Sequence, residues 1–233
     1  QFLRKNGNRQ NQSDKLCMCK HIANGMEYIA SKKIVHRDLA ARNVLIYTGR
    51  ICKVADFGLS REMSKNKDNN YTYEEKKKIG LPLRWTCPTA RETHVFSEKT
   101  DVWSFGILMI EIYTNGEKPY PNMINEKVIK SLLDGFRIPQ PFGCSLNIYN
   151  IILSCWNKLD ERPTFEQIKN KLNNIKNDNN LETRFVEEEV NNSEINMTLT
   201  SKLNDTYAKE IGEQAEYFNF NEPDYVYERV NRT

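Results

Sequence analysis

Between His36 and Gly58 the chain carries two carboxylates, one carboxamide and a forked cation in a stretch that doubles back on itself. The run is His36-Arg37-Asp38-Leu39-Ala40-Ala41-Arg42-Asn43, and Asp56-Phe57-Gly58 begins thirteen residues after Asn43. Val44-Leu45-Ile46 and Ile51-Cys52-Lys53-Val54 read as two short strands around a turn at Thr48-Gly49-Arg50. A hairpin of that size folds the two carboxylates towards each other.

These residues resemble the catalytic loop and the metal-binding Asp-Phe-Gly of protein kinases, and the resemblance extends over roughly residues 1 to 177. The Ala40-Ala41-Arg42 insert is similar to the tyrosine kinase form. The resemblance implies ATP and Mg2+ as cofactors. It implies that Asp38 accepts or orients the substrate hydroxyl proton, that Asn43 and Asp56 hold the magnesium ions, and that Arg42 steadies the tyrosine. Leu45 is implied as a further nucleotide contact. The chemistry accounts for these residue types: hard magnesium prefers oxygen donors, so lysine or histidine could not replace them. His36 reads as a buried scaffold histidine, because Asp38 already fills the proton-handling role.

At 233 residues the chain can bury one good core plus a tail. Its hydrophobic fraction is 39% and its mean hydropathy −0.71. No apolar run approaches the roughly eighteen residues of a membrane-crossing helix, and no signal peptide is visible, so no membrane contact is expected from this segment. The six cysteines match neither a zinc site nor a small disulfide scaffold, which points to a reducing, cytoplasmic setting. The net charge of +3 hides an asymmetry: Asp178 to Thr233 holds thirteen acidic and five basic residues, leaving the rest of the chain at +11. A nucleic-acid partner is not expected, since no aromatic residues interleave with the basic ones.

Residues 1–13 show no periodicity and read as the frayed remnant of something larger. From Asp14 to about Lys32, Leu16, Cys19, Ile22, Ala23, Met26 and Ile29 recur at helical spacing, with Ser13 as the expected cap. Residues 56–90 form a long polar stretch that corresponds to the kinase activation segment. Within it Tyr73, twelve residues before Trp85, sits where tyrosine kinases carry an activating phosphotyrosine, and Tyr71 is a second candidate. Arg37 and nearby lysines could pair with a phosphate there. Leu81-Pro82-Leu83-Arg84-Trp85 resembles the tyrosine kinase substrate platform, in which Pro82 leaves a floor deep enough for a phenol ring.

The family's Ala-Pro-Glu stands here as Cys87-Pro88-Thr89. In the family that glutamate pairs with a buried arginine, whose counterpart is Arg162. Loss of one partner costs roughly 3 to 5 kcal/mol, so Glu92 or a shifted loop is expected to replace it. A helix from Asp101 to about Thr114 is apolar on nearly every side and therefore buried, with Asp101 accepting backbone donors from the His36-Arg37 turn. Helical patterns at 126–133, 146–156 and 164–176 complete the lobe. Residues 178–233 are acidic, Asn-rich and expected to be disordered. Tyr217, Tyr225 and Tyr227 in that tail resemble docking sites for phosphotyrosine-reading adaptors.

The expected fold is mainly α: a protein-kinase-like large lobe, a helical bundle with short catalytic-loop β-hairpins spanning residues 14–177. The small β lobe is absent from this chain, because no Gly-rich loop and no strand lysine precede residue 14. The function implied is a cytoplasmic protein tyrosine kinase, or the intracellular part of a receptor, acting on tyrosine-bearing protein substrates. The rival reading is a non-catalytic kinase-like binding module.

Overall fold

The computed structural model describes residues 1–47, 51–76 and 80–175. Phe2–Asn6 form a short helix, α1, followed by a 3-10 turn at Gly7–Arg9. This corrects the expectation of a frayed remnant. Phe2 and Leu3 pack against the core, and Arg4 Nε donates to Gly116 O at 3.0 Å. Two apolar side chains in a polar run are too few for periodicity to register.

The order continues with α2 (Gln12–Ser31), β1 (Ile34–Val35), β2 (Val44–Ile46), β3 (Cys52–Val54), β4 (Arg61–Glu62), β5 (Ser64–Lys65) and β6 (Tyr71–Glu74). After these come α3 (Pro88–Thr93), β7 (Val95–Phe96), α4 (Glu98–Tyr113), α5 (Asn125–Leu133), α6 (Leu146–Cys155) and α7 (Phe165–Asn173). Helix α2 starts earlier than expected because Asn11, not Ser13, caps it. Asn11 Oδ1 accepts from Asp14 N at 2.8 Å while Asp14 Oδ2 accepts from Asn11 N at 3.0 Å, a reciprocal box that satisfies two end donors. The apolar stripe of α2 is buried and packs on α7 and β3.

Helix α4 is the axis of the lobe: every residue from Thr100 to Tyr113 is buried. It packs against α6 so closely that a Cβ on Gly106 would lie 2.6 Å from Trp156 Nε1. Any side chain there would push the two helices apart. Phe105 meets Phe165 edge to face at 5.7 Å, tying α4 to α7.

The expected catalytic-loop hairpin is present, with Val44 opposite Val54, Leu45 opposite Lys53 and Ile46 opposite Cys52. Its turn residues Thr48, Gly49 and Arg50 lie outside the described residues. The stretch after Asp56 is more regular than its polar composition suggests. Strand β4 pairs with β1, and β5, β6 and β7 form a three-stranded sheet. The β5–β6 turn is held by Asn66, whose Oδ1 accepts from Asp68 N at 3.0 Å and Asn70 N at 2.9 Å, with Asn69 left-handed at φ 66°. Strands with both faces polar carry no alternation to read.

Arg162 is buried, and its partners differ from those expected. Its Nη1 donates to Cys87 Sγ at 3.1 Å and to Lys99 O at 3.0 Å, and its Nε donates to Asn157 O at 3.0 Å. The guanidinium also lies 5.0 Å from the Trp103 ring centre. Glu92 is exposed and is not among these partners, so the expected substitution by Glu92 does not occur. Carbonyls, a thiol and a ring face satisfy the cation instead.

Candidate active site

The chain turns sharply after β1, with Arg37 at φ 68°. A non-glycine residue in the left-handed region is strained by about 1 to 2 kcal/mol, so something must hold it. Asp101, reaching up from the first turn of α4, does so. Its Oδ2 accepts from His36 N at 2.6 Å and its Oδ1 from Arg37 N at 2.9 Å. Burial pushes the Asp101 carboxyl up to about 7, against the pull of those two amides. His36 is fully buried, and burial lowers its pKa to about 4 despite the raising effects of the Ala55 carbonyl and the nearby Asp38 and Asp56. As a neutral ring it donates from Nε2 to Ala55 O at 3.2 Å and accepts from Asp38 N at Nδ1, 3.3 Å, a tautomer assigned from these partners. It links the two carboxylate-bearing turns as scaffold.

Asp38 is then fixed from two sides. Asn43 Nδ2 donates to Asp38 O and to Asp38 Oδ2, both at 2.7 Å, and Arg42 Nη2 forms an ion pair with Asp38 Oδ1. Asn43 is in turn tied to the second carboxylate turn, since Asn43 O accepts from Ala55 N at 2.8 Å, the residue before Asp56. Asp56, like Arg37, is left-handed, at φ 63°. Asp38 and Asp56 each lie near enough to the His36 ring to favour its protonated form.

With its amide nitrogen used twice, Asn43 has its carboxamide oxygen left to meet a cation. No group of three or more His, Cys, Asp or Glu with metal-holding geometry occurs among the described residues. A donor set of one carboxylate and one carboxamide oxygen suits Mg2+, which keeps several waters and phosphate oxygens of its own. Leu45 sits on β2, two residues after Asn43, and is half-buried.

Two residues that tie the site's segments together escaped the sequence reading. Glu111, on α4, is buried, and its Oε2 accepts from Ala41 N at 2.9 Å and from Trp85 Nε1 at 2.8 Å. Burial raises its pKa, opposed by those two donors and by the Arg42 and Arg4 charges. The available signal was a single carboxylate inside a run apolar on all sides, which has to be paired. The Trp85 ring lies under Arg42, with the guanidinium carbon 4.5 Å from its centre. Glu75 is the other. Its Oε2 pairs with Arg37 Nη1 at 2.9 Å, both side chains nearly inaccessible, and accepts from Tyr73 OH at 3.4 Å. Nothing in its sequence context set it apart from the charged residues around it.

Arg37 thus meets the Tyr73 ring, at 4.8 Å, and also Leu59 O, at 2.6 Å. Tyr71 lies apart from this cluster, its ring faced by Lys33 at 4.6 Å and Lys65 at 5.7 Å. Arg162 does not join the site; it braces α3, α4 and the loop before α7 from below. Tyr217, Tyr225 and Tyr227 lie outside the described residues.

A helix buried on every side, with a left-handed turn hung from its aspartate and a polar segment folded across its end, is the architecture of a protein kinase large lobe. The family described as protein tyrosine and serine/threonine kinase matches residues 1–172, and the chain belongs to it. It is 47% identical over 167 residues to tyrosine-protein kinase FRK of Homo sapiens, covering 71% of this chain and 33% of that protein. It is 47% identical over 156 residues to tyrosine-protein kinase SRK3 of Spongilla lacustris, covering 66% and 45%. With ephrin type-A receptor 7 of Gallus gallus the identity is 43% over 184 residues, covering 78% and 18%. The chain therefore spans less than half the length of each of these relatives.

Proposed function

We propose that the protein transfers the gamma-phosphoryl group of ATP to tyrosine hydroxyls in protein substrates. The observation that carries this is the position of Arg42. Paired with Asp38 and stacked on Trp85, it joins the loop that would handle the proton to the platform on which the phenol would lie. Bound ATP with Mg2+ supplies the phosphoryl group and neutralises its charge, as in the family at large. Asn43 and Asp56 would offer the oxygens for magnesium, and Leu45 would touch the nucleotide. Asp38 would orient the phenol and receive its proton, with Arg42 and Asn43 holding the carboxylate in place.

Arg37, Tyr73 and Tyr71 form the regulatory part of the reading. Among the described residues Arg37 Nη2 has no hydrogen-bond partner although it is buried and Nη1 meets Glu75. A phosphate on Tyr73 offers three acceptor oxygens and nearly two charges, and could take both arms of the guanidinium where Glu75 takes one. Phosphotyrosine-reading adaptors at Tyr217, Tyr225 and Tyr227 belong to the same reading, as does a cytoplasmic position, free or as the intracellular part of a receptor. Among the described residues no helix is long and apolar enough to cross a membrane.

A non-catalytic binding module has less support, because it has no use for a carboxylate fixed from two sides. The test is Asp38→Asn in the full natural protein: phosphorylation of a tyrosine peptide should fall by about 100-fold or more. Equal activity in the variant would overturn the reading.

A further inference from the structure

Glu111 is the one charged residue between Asp101 and Tyr113 on the most buried helix of the lobe. A carboxylate in such a place is costly unless its oxygens are matched. The two donors it has are not neighbours in sequence. The Ala41 amide belongs to the loop that carries Asp38 and Arg42, and the Trp85 indole belongs to the Leu81–Trp85 platform. One oxygen, Oε2, holds both. Charge-assisted bonds of this kind are about twice as strong as neutral ones and are directional, so they fix the plane of the indole as well as its position. That plane is the face on which Arg42 rests, and Arg42 is the cation that pairs with Asp38.

We infer that Glu111 is a positioning residue. By gathering the Ala41 amide and the Trp85 indole onto a single oxygen, it sets the register between the catalytic loop and the substrate platform, and through Trp85 the orientation of Arg42 towards Asp38. What is positioned depends on the kinase reading; the contact itself does not. A merely structural Glu111 would act on stability alone. A positioning Glu111 acts through Trp85 on the peptide, since the indole belongs to the platform and carries the Arg42 that pairs with Asp38.

Trp85→Phe removes only the indole donor and keeps an aromatic face for Arg42. Glu111→Gln keeps an acceptor oxygen in the same outline, and Glu111→Leu removes it. In the full natural protein, Trp85→Phe should raise KM for a tyrosine peptide by about tenfold, as expected for one lost charge-assisted bond, with KM for ATP unchanged, and Glu111→Leu, which loses both bonds, should raise it at least as much. The double variant should be no worse than Glu111→Leu alone, and Glu111→Gln should recover all but about twofold. Independent, multiplying effects, or an unchanged peptide KM in Trp85→Phe, would overturn the inference. If Glu111→Leu does not fold, Trp85→Phe and Glu111→Gln decide it.

A second measurement stands apart from activity. In the 233-residue chain the Trp85 indole N–H should be protected from hydrogen exchange, and its NMR resonance should move in Glu111→Gln; an unprotected, unmoved resonance would show that the contact does not exist. A wild-type protein that phosphorylates nothing would defeat the kinase reading, and the indole measurement would then decide Glu111 alone.

Discussion

Two buried arginines, Arg37 and Arg162, are almost equally hidden, at 3% and 4% exposure, and are satisfied in opposite ways. Arg37 meets a full negative charge, Glu75, on the same segment as Tyr73. Among the described residues Arg162 meets no carboxylate; two carbonyls, a thiol and an indole face surround it. The carbonyls and the ring belong to α4 and the loop before α7, so that arrangement is as permanent as the fold. Glu75 directly follows strand β6, two residues after Tyr73, and on the proposed reading a phosphate on Tyr73 would take its place. A cation meant only to brace can use fixed dipoles, whereas one meant to switch needs a replaceable charge.

The largest effect is expected where Arg37's own backbone is fixed. Asp101→Ala would leave the His36 and Arg37 amides buried without an acceptor, at about 2 kcal/mol each. Denaturant unfolding should show a loss of about 4 kcal/mol. A loss below about 1 kcal/mol would mean that water reaches these donors and that the turn is less enclosed than its geometry implies.

Glu75→Gln tests the exchangeable charge. Removing one partner of a buried pair costs roughly 3 kcal/mol or more, and the neutral amide recovers only part of it. The loss should be local: amides of β6 and β7 should exchange with solvent faster, and those of α4 should not. Phosphorylation of Tyr73 should restore the protection. If exchange is unchanged before phosphorylation, Glu75 does not hold the segment.

His36 adds a pH signature to the Arg37 side. Burial takes its pKa from 6.5 to about 4, so the unfolded chain binds the proton more readily between those values. Stability is therefore present above the unfolded value and is lost as pH falls through the window. Measured against His36→Asn, the wild type should lose about 2 kcal/mol between about pH 7 and pH 5. A flat difference would place a charged His36 in the fold.

The contrast between the two arginines also marks how far the sequence could be read. The helices of the core announced themselves through apolar spacing, and the Asp38, Asn43 and Asp56 cluster through spacing around a hairpin. Residues whose role depends on a distant partner gave no local sign. Glu75 and Glu111 are ordinary glutamates until Arg37, Ala41 and Trp85 fold against them, at separations of 38, 70 and 26 residues. Cys87 reads as a small apolar residue until a guanidinium arrives. The strands of residues 61–74 were illegible for another reason: with both faces polar they obey no period.

Thr89→Glu is expected to do least, and it tests the Arg162 half of the comparison most directly. A family motif with glutamate at this position suggests that restoring the carboxylate should stabilise the lobe. The fold argues otherwise. Thr89 is exposed, and both Arg162 nitrogens that donate are already engaged with carbonyls and the Cys87 thiol. A new carboxylate would have to displace those partners and lose its own hydration, and a surface ion pair returns only about 0 to 1 kcal/mol. The melting temperature should therefore shift by no more than about 2 °C. A rise well beyond that would show a cation short of a partner, and the distinction between a bracing and a switching arginine would have to be withdrawn.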